Sequence, residues 1–472
     1  MPGEVYVLGE QKVRPDIYIK WHDAGGVRTV TGTVGVAAAV VQSNWGPLNK
    51  VITLESPNEI TAKIGMGKGP DCLNEIFNGG TSTVFSIRAG SGGELASLEL
   101  SDTQATAVKS VQLLTKYTTT RAFTVTVRET LEDNFKELLL FEGSRQLERI
   151  VFASGTDEPA QLVAAVNANS RYLKGQKVAD GNGEIDTVMN VAITGGADPI
   201  VTGADYAAAF ELLERKFFDT ICIDSEDVGV HASLHSFVSR MLSSGGGRLI
   251  GVVGESTSVP FADRSANAKA FNDFAMVYVC NGIETAAGGI EGARAAARIA
   301  GVIASSAYNA SLTHVPMTGS IGVVGELTNA QYKEAIQSGM LAFSVNPDGM
   351  AQIDYGINTK VTLLADEDEG WKKIRRTRTR FELIDRIVYT LHPYLGKWNN
   401  NADGRAFVVT IANGIIQTMI REGGLDDGQL MVDPDYPPQG DSAWFRFVDL
   451  IDLDSIEKIY LDFGFQFTPQ QA

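Results

Sequence analysis

Two short stretches of the chain combine residue types that could carry chemistry. The first, "GRLIGVVGEST" at residues 247–257, joins a strand-like run to glycines and a Ser/Thr pair, as phosphate-binding loops do. Such a loop needs a glycine where Leu249 stands and a lysine where Glu255 stands. Because the carboxylate of Glu255 would repel a phosphate, the pattern predicts a buried strand that ends in a turn.

The second stretch, "HASLH", places His231 and His235 four residues apart, a spacing that lets two imidazoles on a helix share one metal. Ala232 occupies the position where a zinc metalloprotease needs its glutamate base, and no third ligand lies nearby in sequence. We therefore expect two surface histidines. With 5 histidines in all and no G-x-S-x-G serine, the sequence predicts no catalytic, cofactor-binding or metal-binding residue and no enzyme.

A third stretch, "DEDEGWKKIRRTRTRFELIDRI" at residues 366–387, concentrates charge. Carboxylates from Asp366 to Glu369 precede a predicted helix, where they complement the positive end of its dipole. Six cations follow within nine residues: Lys372, Lys373, Arg375, Arg376, Arg378 and Arg380. Two interpretations stay open: a solvated face that pairs with the acidic turn, or a docking patch for an acidic protein surface.

Composition restricts the classes of protein that can carry these stretches. The chain has 472 residues, enough for two to four domains, and a formal charge of −17 that argues against a nucleic-acid partner. Cys72, Cys222 and Cys280 lie far apart, and we expect reduced thiols. We see no secretory signal, and the most apolar helical run, near residues 286–304, is interrupted by charges, so no membrane insertion is expected.

The pattern of apolar residues predicts a multidomain α+β protein with an α/β-containing core. Short strand-like pieces in residues 1–25 suggest an N-terminal arm, and residues 26–90 and 346–454 suggest two parts of one core domain. Between them we expect an inserted mainly-β domain at residues 91–195 and a layered α/β domain at residues 196–345, where helices and strands alternate.

The segment "SIEKIYLDFGFQFT", residues 455–468, has the period-2 alternation of a half-buried strand. Its apolar face is formed by Ile459, Leu461, Phe463, Phe465 and Phe467. Burying these side chains roughly balances the entropy lost on ordering the segment, so the strand is stable only against a partner sheet. That sheet is either its own domain's or a neighbouring subunit's, and both remain open.

Several motifs, taken in order, resemble those of the tail sheath proteins of contractile bacteriophage tails and phage-tail-like particles. "KVRPDIYIKW" resembles an R-P-G-x-Y-I motif with Asp16 in place of the glycine, and "TVGVAAAVVQSNWGPLNKVITLES" resembles the core segment after it. "AARIAGVIASSAYNASLTHV" resembles the family's Ala/Gly-rich helix, closed by Ser311, Leu312 and Thr313. "LTNAQYKEAIQSGMLAF", "YGINT", "RTRTRFELIDRI" and "YLGKWNNNADGRAFV" resemble the stretches that follow.

The resemblance implies a structural subunit without cofactors that assembles as stacked six-fold rings of identical copies around a tail tube. It also implies baseplate and tail terminator proteins as partners, assembly in the bacterial host cytoplasm, and contraction that drives the tube through an envelope. Terminal arms would add strands to neighbours' sheets, with Arg14, Pro15 and Tyr18 as N-terminal candidates and Ile459, Leu461, Phe463, Phe465 and Phe467 as C-terminal ones. The six cations become candidates for facing the tube.

Two alternatives remain beside this interpretation. An α/β hydrolase or nucleotide-binding enzyme would have to use the region at residues 196–345, where neither candidate motif is complete. A different self-assembling layer or capsid-type β-protein would share the strand-rich composition but form flat lattices or closed shells.

Overall fold

The computed structural model describes residues 35–132, 134–365 and 367–465, together with the backbone of Glu4–Val5 and Tyr18–Ile19. These residues belong to two compact units. The first, called here the N-terminal unit, comprises Val36–Phe237 and Ala297–Ala304. The second, the C-terminal unit, comprises the described residues within Met1–Gly35, Val238–Ala296 and Ser305–Ala472.

The strands of the described chain are β1 Glu4–Val5, β2 Tyr18–Ile19, β3 Val36–Val41, β4 Val51–Leu54, β5 Thr83–Arg88, β6 Ser97–Ser101, β7 Lys109–Thr115, β8 Phe123–Glu129, β9 Phe135–Glu142, β10 Arg145–Ala153, β11 Leu173–Lys177, β12 Val188–Ala192, β13 Thr220–Ile223, β14 Ile250–Gly254, β15 Met276–Val279, β16 Gly282–Thr285, β17 Gly288–Ile290, β18 Ser320–Val324, β19 Met340–Leu341, β20 Phe343–Val345, β21 Ala351–Ile353, β22 Leu425–Val432 and β23 Phe445–Asp452. The helices are α1 Ile60–Lys63, α2 Lys68–Asn78, α3 Glu158–Asn169, α4 Gly203–Leu213, α5 Val228–Ser243, α6 Phe261–Phe271, α7 Gly292–Ser305, α8 Asn329–Gln337, α9 Ile374–Leu391 and α10 Ala402–Glu422.

In the N-terminal unit, a sheet with the order β4-β5-β3-β13 forms because "VAAAVV" of β3 is apolar on both faces. β3 runs parallel to β5 and β13, and β4 runs antiparallel to β5. A strand buried on both faces is typical of a parallel sheet covered by helices.

The Ala/Gly-rich helix predicted from the sequence is α7, and its small residues allow a close helix contact within the N-terminal unit. A Cβ on Gly301 would lie only 2.1 Å from the carbonyl oxygen of Ile76 in α2. Beside this contact, Arg298 of α7 forms a buried ion pair of 2.6 Å with Glu75 of α2. The close approach of the two helices therefore requires the glycine, and the charge pair satisfies two charges that are buried beside it.

The segment expected to be mainly β contains β6 to β12 and α3. Its two antiparallel sheets have the orders β10-β9-β8-β12 and β11-β7-β6. Trp45 completes the core of this region, with its ring 5.5 Å from that of Phe123 and 5.4 Å from that of Tyr172. The Arg121 guanidinium lies 5.2 Å from the centre of the Trp45 ring and adds a cation–π contact.

In the C-terminal unit, β14, β15 and β19 pair in parallel, and β16 pairs with β17 and β18 in a second sheet. Farther along the chain, α9 and α10 pack with the antiparallel hairpin β22–β23 around a core that includes Leu383, Ile387, Ile416 and Met419. In the described part of the chain, β22 and β23 pair only with each other.

The expected closing strand differs from the structure. Residues 455–465, the described part of the predicted 455–468 strand, form no strand, and the last ladder ends at Asp452. The alternation that predicted a strand is present, but in the single chain no sheet receives it. Residues 455–465 belong to no ladder of the described chain, and both pairings expected of this segment, with its own domain's sheet or with a neighbour's, stay predictions.

Candidate functional site: the C-terminal segment and its anchorage

The charged residues nearest to the expected arm lie where β23 ends and α9 begins. The segment "DLDSIE" begins at Asp452, the last residue of β23, and carries Asp452, Asp454 and Glu457. The first turns of α9, with the short 3-10 helix at Glu369–Lys372 before them, carry the cations. The amide of Leu453 donates to the carbonyl of Gly424 at 3.3 Å and fixes the chain as it leaves β23.

Asp452 binds two arginines that lie one helical turn apart on α9. Its Oδ1 accepts from Arg376 at 2.5 Å and its Oδ2 accepts from Arg380 at 2.8 Å. Burial alone would raise the pKa of Asp452, but the hydrogen bond from Arg376 and the two guanidinium charges outweigh it and hold the pKa below its ordinary value. The carboxylate therefore stays ionised in the folded chain.

Glu457 is bound from three sides. Its Oε2 pairs with Lys373, and its Oε1 accepts from Ser311 at 2.6 Å and from Thr313 at 2.8 Å. Burial would raise the pKa of Glu457, yet the hydrogen bonds from Lys373 and Ser311 outweigh it and lower the pKa. Burial likewise opposes the charge of Lys373, but its contact with Glu457 and the nearby Asp454 raise its pKa.

These contacts form two groups along one stretch of chain: Asp452 with Arg376 and Arg380, and Asp454 and Glu457 with Lys373. We call the two groups together the ionic clasp. Lys373 also lies 3.5 Å from Asp454, and its ammonium stands 4.4 Å from the centre of the Tyr355 ring. The Arg380 guanidinium lies 4.2 Å from the centre of the Trp371 ring, so its flat face is covered as well. The clasp can hold a chain segment in a fixed direction.

Beyond the clasp the chain presents apolar side chains to solvent. Ile459 is 72% exposed, Phe463 is 69% exposed and Phe465 is 83% exposed. The rings of Phe463 and Phe465 stack on each other with centres 6.3 Å apart, as residues on one face of an extended chain do. Adjacent large apolar residues at such exposure are typical of a surface that another molecule covers.

The six predicted tube-facing cations are not a surface patch in this structure. Lys373, Arg375, Arg376 and Arg378 are buried, while Lys372 and Arg380 are half-buried. Arg375 donates to the carbonyl of Asn309 at 2.5 Å, and Arg378 donates to the carbonyls of Ser306 and Ala307, both at 2.8 Å. Lys372 pairs with Glu369 at 2.9 Å. The geometry thus favours intramolecular pairing over the docking patch.

The pairing partners are only partly those expected. Asp368 of the acidic turn does bind Arg376 at 3.0 Å, but Asp452 and Glu457, about 80 residues away in sequence, bind the clasp cations more extensively. The sequence did not reveal that Asp452, Asp454 and Glu457 pair with these cations, or that Ser311 and Thr313 bind Glu457. The available signal was the cluster of acidic residues directly after an apolar strand, in a chain whose basic residues cluster elsewhere.

The arm candidates are placed unevenly. Ile459, Leu461, Phe463 and Phe465 lie together on the exposed segment. The backbone of Tyr18 belongs to β2, which pairs in parallel with β1. Arg14, Pro15 and Phe467 lie outside the described residues.

The other candidate motifs carry no reactive site. "LIGVVG" is the buried strand β14, as predicted, and the Glu255 carboxylate after it accepts from Tyr278 at 2.6 Å. The expectation of two surface histidines is wrong for His231, which is buried in α5 with Nε2 3.0 Å from the Ser225 carbonyl. The three cysteines are buried thiols, as expected.

The described part of the chain contains neither a metal-binding cluster nor a helix that could span a membrane. Among the described residues, no three His, Cys, Asp or Glu side chains are grouped as a metal site would require. No described helix combines the length and apolar character that crossing a membrane would need.

Two family models match the chain. The model of the phage tail sheath protein central domain matches residues 200–359, and that of the phage tail sheath C-terminal domain matches residues 366–466. The second match includes α9, α10, the hairpin, the clasp carboxylates and the exposed segment. The first includes Ser311 and Thr313.

The whole chain is also similar to known proteins. It is 23% identical to the Bacillus subtilis protein YqbK, over 98% of this chain and 99% of that one. The sheath tail protein of Desulfitobacterium hafniense has a similar fold, with a TM-score of 0.72, 20% identity and coverage of 93% of this chain and 100% of that one. The helical sheath of the anti-feeding prophage in its contracted state has a TM-score of 0.52 at 12% identity, over 96% and 99% of the two chains.

The matched regions lie in the order expected of one protein, and together they contain the clasp and the segment that leaves it. The mixed α/β multidomain fold agrees with that of the sheath tail proteins. This chain belongs to the phage tail sheath family and is a structural subunit of a contractile tail rather than an enzyme.

Proposed function

We propose that this chain polymerises as stacked six-fold rings around a tail tube, and that the assembled sheath shortens to drive the tube through a bacterial envelope. The observation that carries the proposal is the apolar segment at residues 459–465, which is exposed although it directly follows a firmly bound stretch of chain. In an assembly of identical subunits, the natural partner for this segment is a neighbouring copy.

The hairpin β22–β23 is the proposed acceptor. Each of its strands pairs on one side only within the described chain, so each has an edge where a further strand can add. An added strand would gain main-chain hydrogen bonds and could place alternate side chains toward the helix layer of α9 and α10. The N-terminal residues Arg14, Pro15 and Tyr18 are proposed to donate a second strand to the same shared sheet.

The energetics suit a contact that many subunits make together. Burying Ile459, Leu461, Phe463 and Phe465 contributes about 1.5 to 3 kcal/mol each, and ordering seven residues costs about 1 to 2 kcal/mol each. Ladder hydrogen bonds add about 1 kcal/mol apiece. One arm alone therefore binds weakly, and a lattice gains stability because every subunit both gives and receives a strand.

Contraction in this proposal needs no nucleotide. The work comes from the free-energy difference between two packings of the same subunits, and arms that keep neighbours tethered let the lattice change its packing without falling apart. The tail tube, the baseplate and the tail terminator are the proposed partners, and assembly is proposed to occur in the bacterial host cytoplasm.

Ending the chain after Lys458 tests the proposal, because this truncation removes the exposed segment and keeps the clasp. We expect a folded subunit, with circular dichroism and melting temperature close to those of the full chain, that forms no striated cylinders in electron micrographs. Cylinders of normal length from the truncated chain would contradict the arm role. Flat lattices or closed shells from the full chain would contradict the sheath role itself.

A face-specific variant provides the matched control. Replacing Leu461, Phe463 and Phe465 with serine should abolish cylinders, because it removes the apolar face and keeps the length of the segment. Replacing Tyr460 and Asp462 with serine changes the opposite face and should leave cylinders intact. Equal loss in both variants would show that the segment does not act through one strand face.

A further inference from the structure

In residues 452–457, Leu453 is buried as an apolar side chain usually is, but two carboxylates are buried as well. Ile456 is 84% exposed, whereas the neighbouring Glu457 side chain is only 8% exposed and Asp452 is buried. A segment selected only to cover its own core would place the isoleucine inside and the carboxylate outside. Beside Leu453, this stretch buries the charged side chains of Asp452 and Glu457, whose hydrogen bonds are directional.

The clasp holds every acidic residue of the stretch. Asp452 binds Arg376 and Arg380, Asp454 lies 3.5 Å from Lys373, and Glu457 binds Lys373. Ser455 adds a contact by accepting from Arg375 at 3.2 Å. Because residues 454–457 have left the ladder of β23, side chains rather than a sheet fix the path of the chain there.

Charge pairs suit this task better than apolar contacts do. A buried ion pair adds little net stability compared with an apolar pair of the same volume, because desolvation offsets most of the attraction. Hydrogen bonds to charged groups are, however, directional, and Asp452 and Glu457 each use both carboxylate oxygens. The arrangement therefore determines geometry more than it adds stability.

We propose that the ionic clasp is the fixed root of the C-terminal arm: it sets the direction in which residue 459 onward leaves the subunit and passes the pull of a neighbouring copy into α9. This inference rests on the proposed sheath function and gives the cations of the clasp a role in it. Holding the root removes conformations that the arm would otherwise lose on binding, so assembly begins at a lower subunit concentration.

Glu457→Gln tests the root because it keeps the size of the side chain and removes its charge. We expect the critical concentration for cylinder formation to rise at least tenfold, while the isolated subunit stays folded. The matched control is Asp385→Asn, which disrupts the 2.7 Å ion pair between Asp385 of α9 and Arg248 without touching the arm. A lowered melting temperature in both variants, with assembly impaired only in Glu457→Gln, is the expected pattern.

A second measurement tests, in the isolated chain, whether the clasp holds the start of the arm in place. A spin label on a cysteine introduced in place of Lys458 should be immobile in the isolated full-length chain and become mobile with Glu457→Gln, whereas one in place of Gly464 should be mobile in both. The native cysteines are buried and should not take up the label in the folded chain. Equal mobility at residue 458 with and without Glu457→Gln would contradict the proposal that the clasp fixes the start of the arm.

These experiments distinguish a failure of the sheath function from a failure of the role proposed for the clasp. If the unmodified chain forms no cylinders under assembly conditions, the sheath function fails, although the spin-label result at residue 458 still decides whether the clasp holds the chain. If the unmodified chain forms cylinders and Glu457→Gln forms them at the same concentration, the assembly role of the clasp is wrong and the sheath function stands.

Discussion

At the scale of single residues, the chain uses buried charge in two opposite ways. In the clasp, bound cations hold the pKa values of Asp452 and Glu457 low, so both carboxylates are charged and tightly bound at neutral pH. In the N-terminal unit, burial raises the pKa of Asp224 to about 6, even though Tyr206 donates to it at 2.5 Å and the Gln42 amide donates at 2.7 Å. The lowered pKa values in the clasp make the folded chain more stable at neutral pH than in acid. The raised pKa of Asp224 makes the folded chain more stable in acid than at neutral pH.

Asp224 gives a prediction with a definite sign. Its pKa is raised from 3.8 to about 6 on folding, so the stability it contributes is full below about pH 4 and is lost as pH rises through 6. At about 1.4 kcal/mol per pKa unit, the loss is about 3 kcal/mol. We expect the free energy of unfolding of the wild type minus that of Asp224→Asn to fall by this amount between pH 4 and pH 8.

Urea unfolding at a series of pH values measures this difference. Tyr206→Phe serves as the comparison, because it removes the hydroxyl donor that favours the charged carboxylate, so the same decline should extend to higher pH. A difference that does not vary with pH would mean that Asp224 is not buried as the structure has it.

At the scale of elements, the hairpin β22–β23 is the part whose geometry matters most to the proposal. Its ladder is irregular between Leu425 and Gln429, and Gly428 lies at this irregularity with a φ of +149°. A Cβ at Gly428 would lie 2.7 Å from Cδ1 of Leu450 on β23. The position thus requires glycine both for its backbone and for the space across the hairpin.

Gly428→Ala should therefore destabilise the C-terminal unit by about 1 to 3 kcal/mol and raise the concentration needed for assembly. Gly414→Ala is the matched control, because Gly414 lies within α10 with nothing within 4 Å of an added Cβ. That substitution should be neutral or stabilising by up to about 1 kcal/mol. Thermal unfolding measures both effects, and equal melting temperatures for the two variants would contradict the account of the hairpin.

At the scale of the whole molecule, the proposal makes each subunit both a donor and an acceptor of strands. The donor is the segment beyond Lys458, and the acceptor is the hairpin, whose strands lie at Leu425–Val432 and Phe445–Asp452. Because the two functions belong to separate parts of the C-terminal unit, a variant can lose one and keep the other.

The chain that ends after Lys458 should consequently limit the growth of normal cylinders when mixed with full-length subunits. It can receive a neighbour's arm but gives none, so each incorporated copy leaves one acceptor in the lattice unfilled. At one truncated copy per ten, we expect cylinders to become markedly shorter in electron micrographs. A mixture that yields cylinders of unchanged length would show that the truncated chain is excluded or that the arm is dispensable.

The sequence by itself determined most of the local structure and the family. Helical spacing from Ile374 to Leu391 corresponds to α9, and the apolar run "VAAAVV" corresponds to the buried strand β3. Because Glu255 stands where a phosphate-binding loop needs a lysine, the sequence alone argued against such a loop. These features depend on neighbours within a few residues, so periodicity and motif spacing reveal them.

Only the tertiary structure decided where the charges and the phenylalanines lie. The cations of α9 looked exposed because their partners Asp452 and Glu457 lie about 80 residues farther along the chain, and nothing local identifies that pairing. The apolar face at residues 459–465 looked like a strand because its alternation is a local property, whereas strand pairing depends on a partner. Burial and pairing are properties of distant contacts, and alternation and helical spacing are properties of the chain itself.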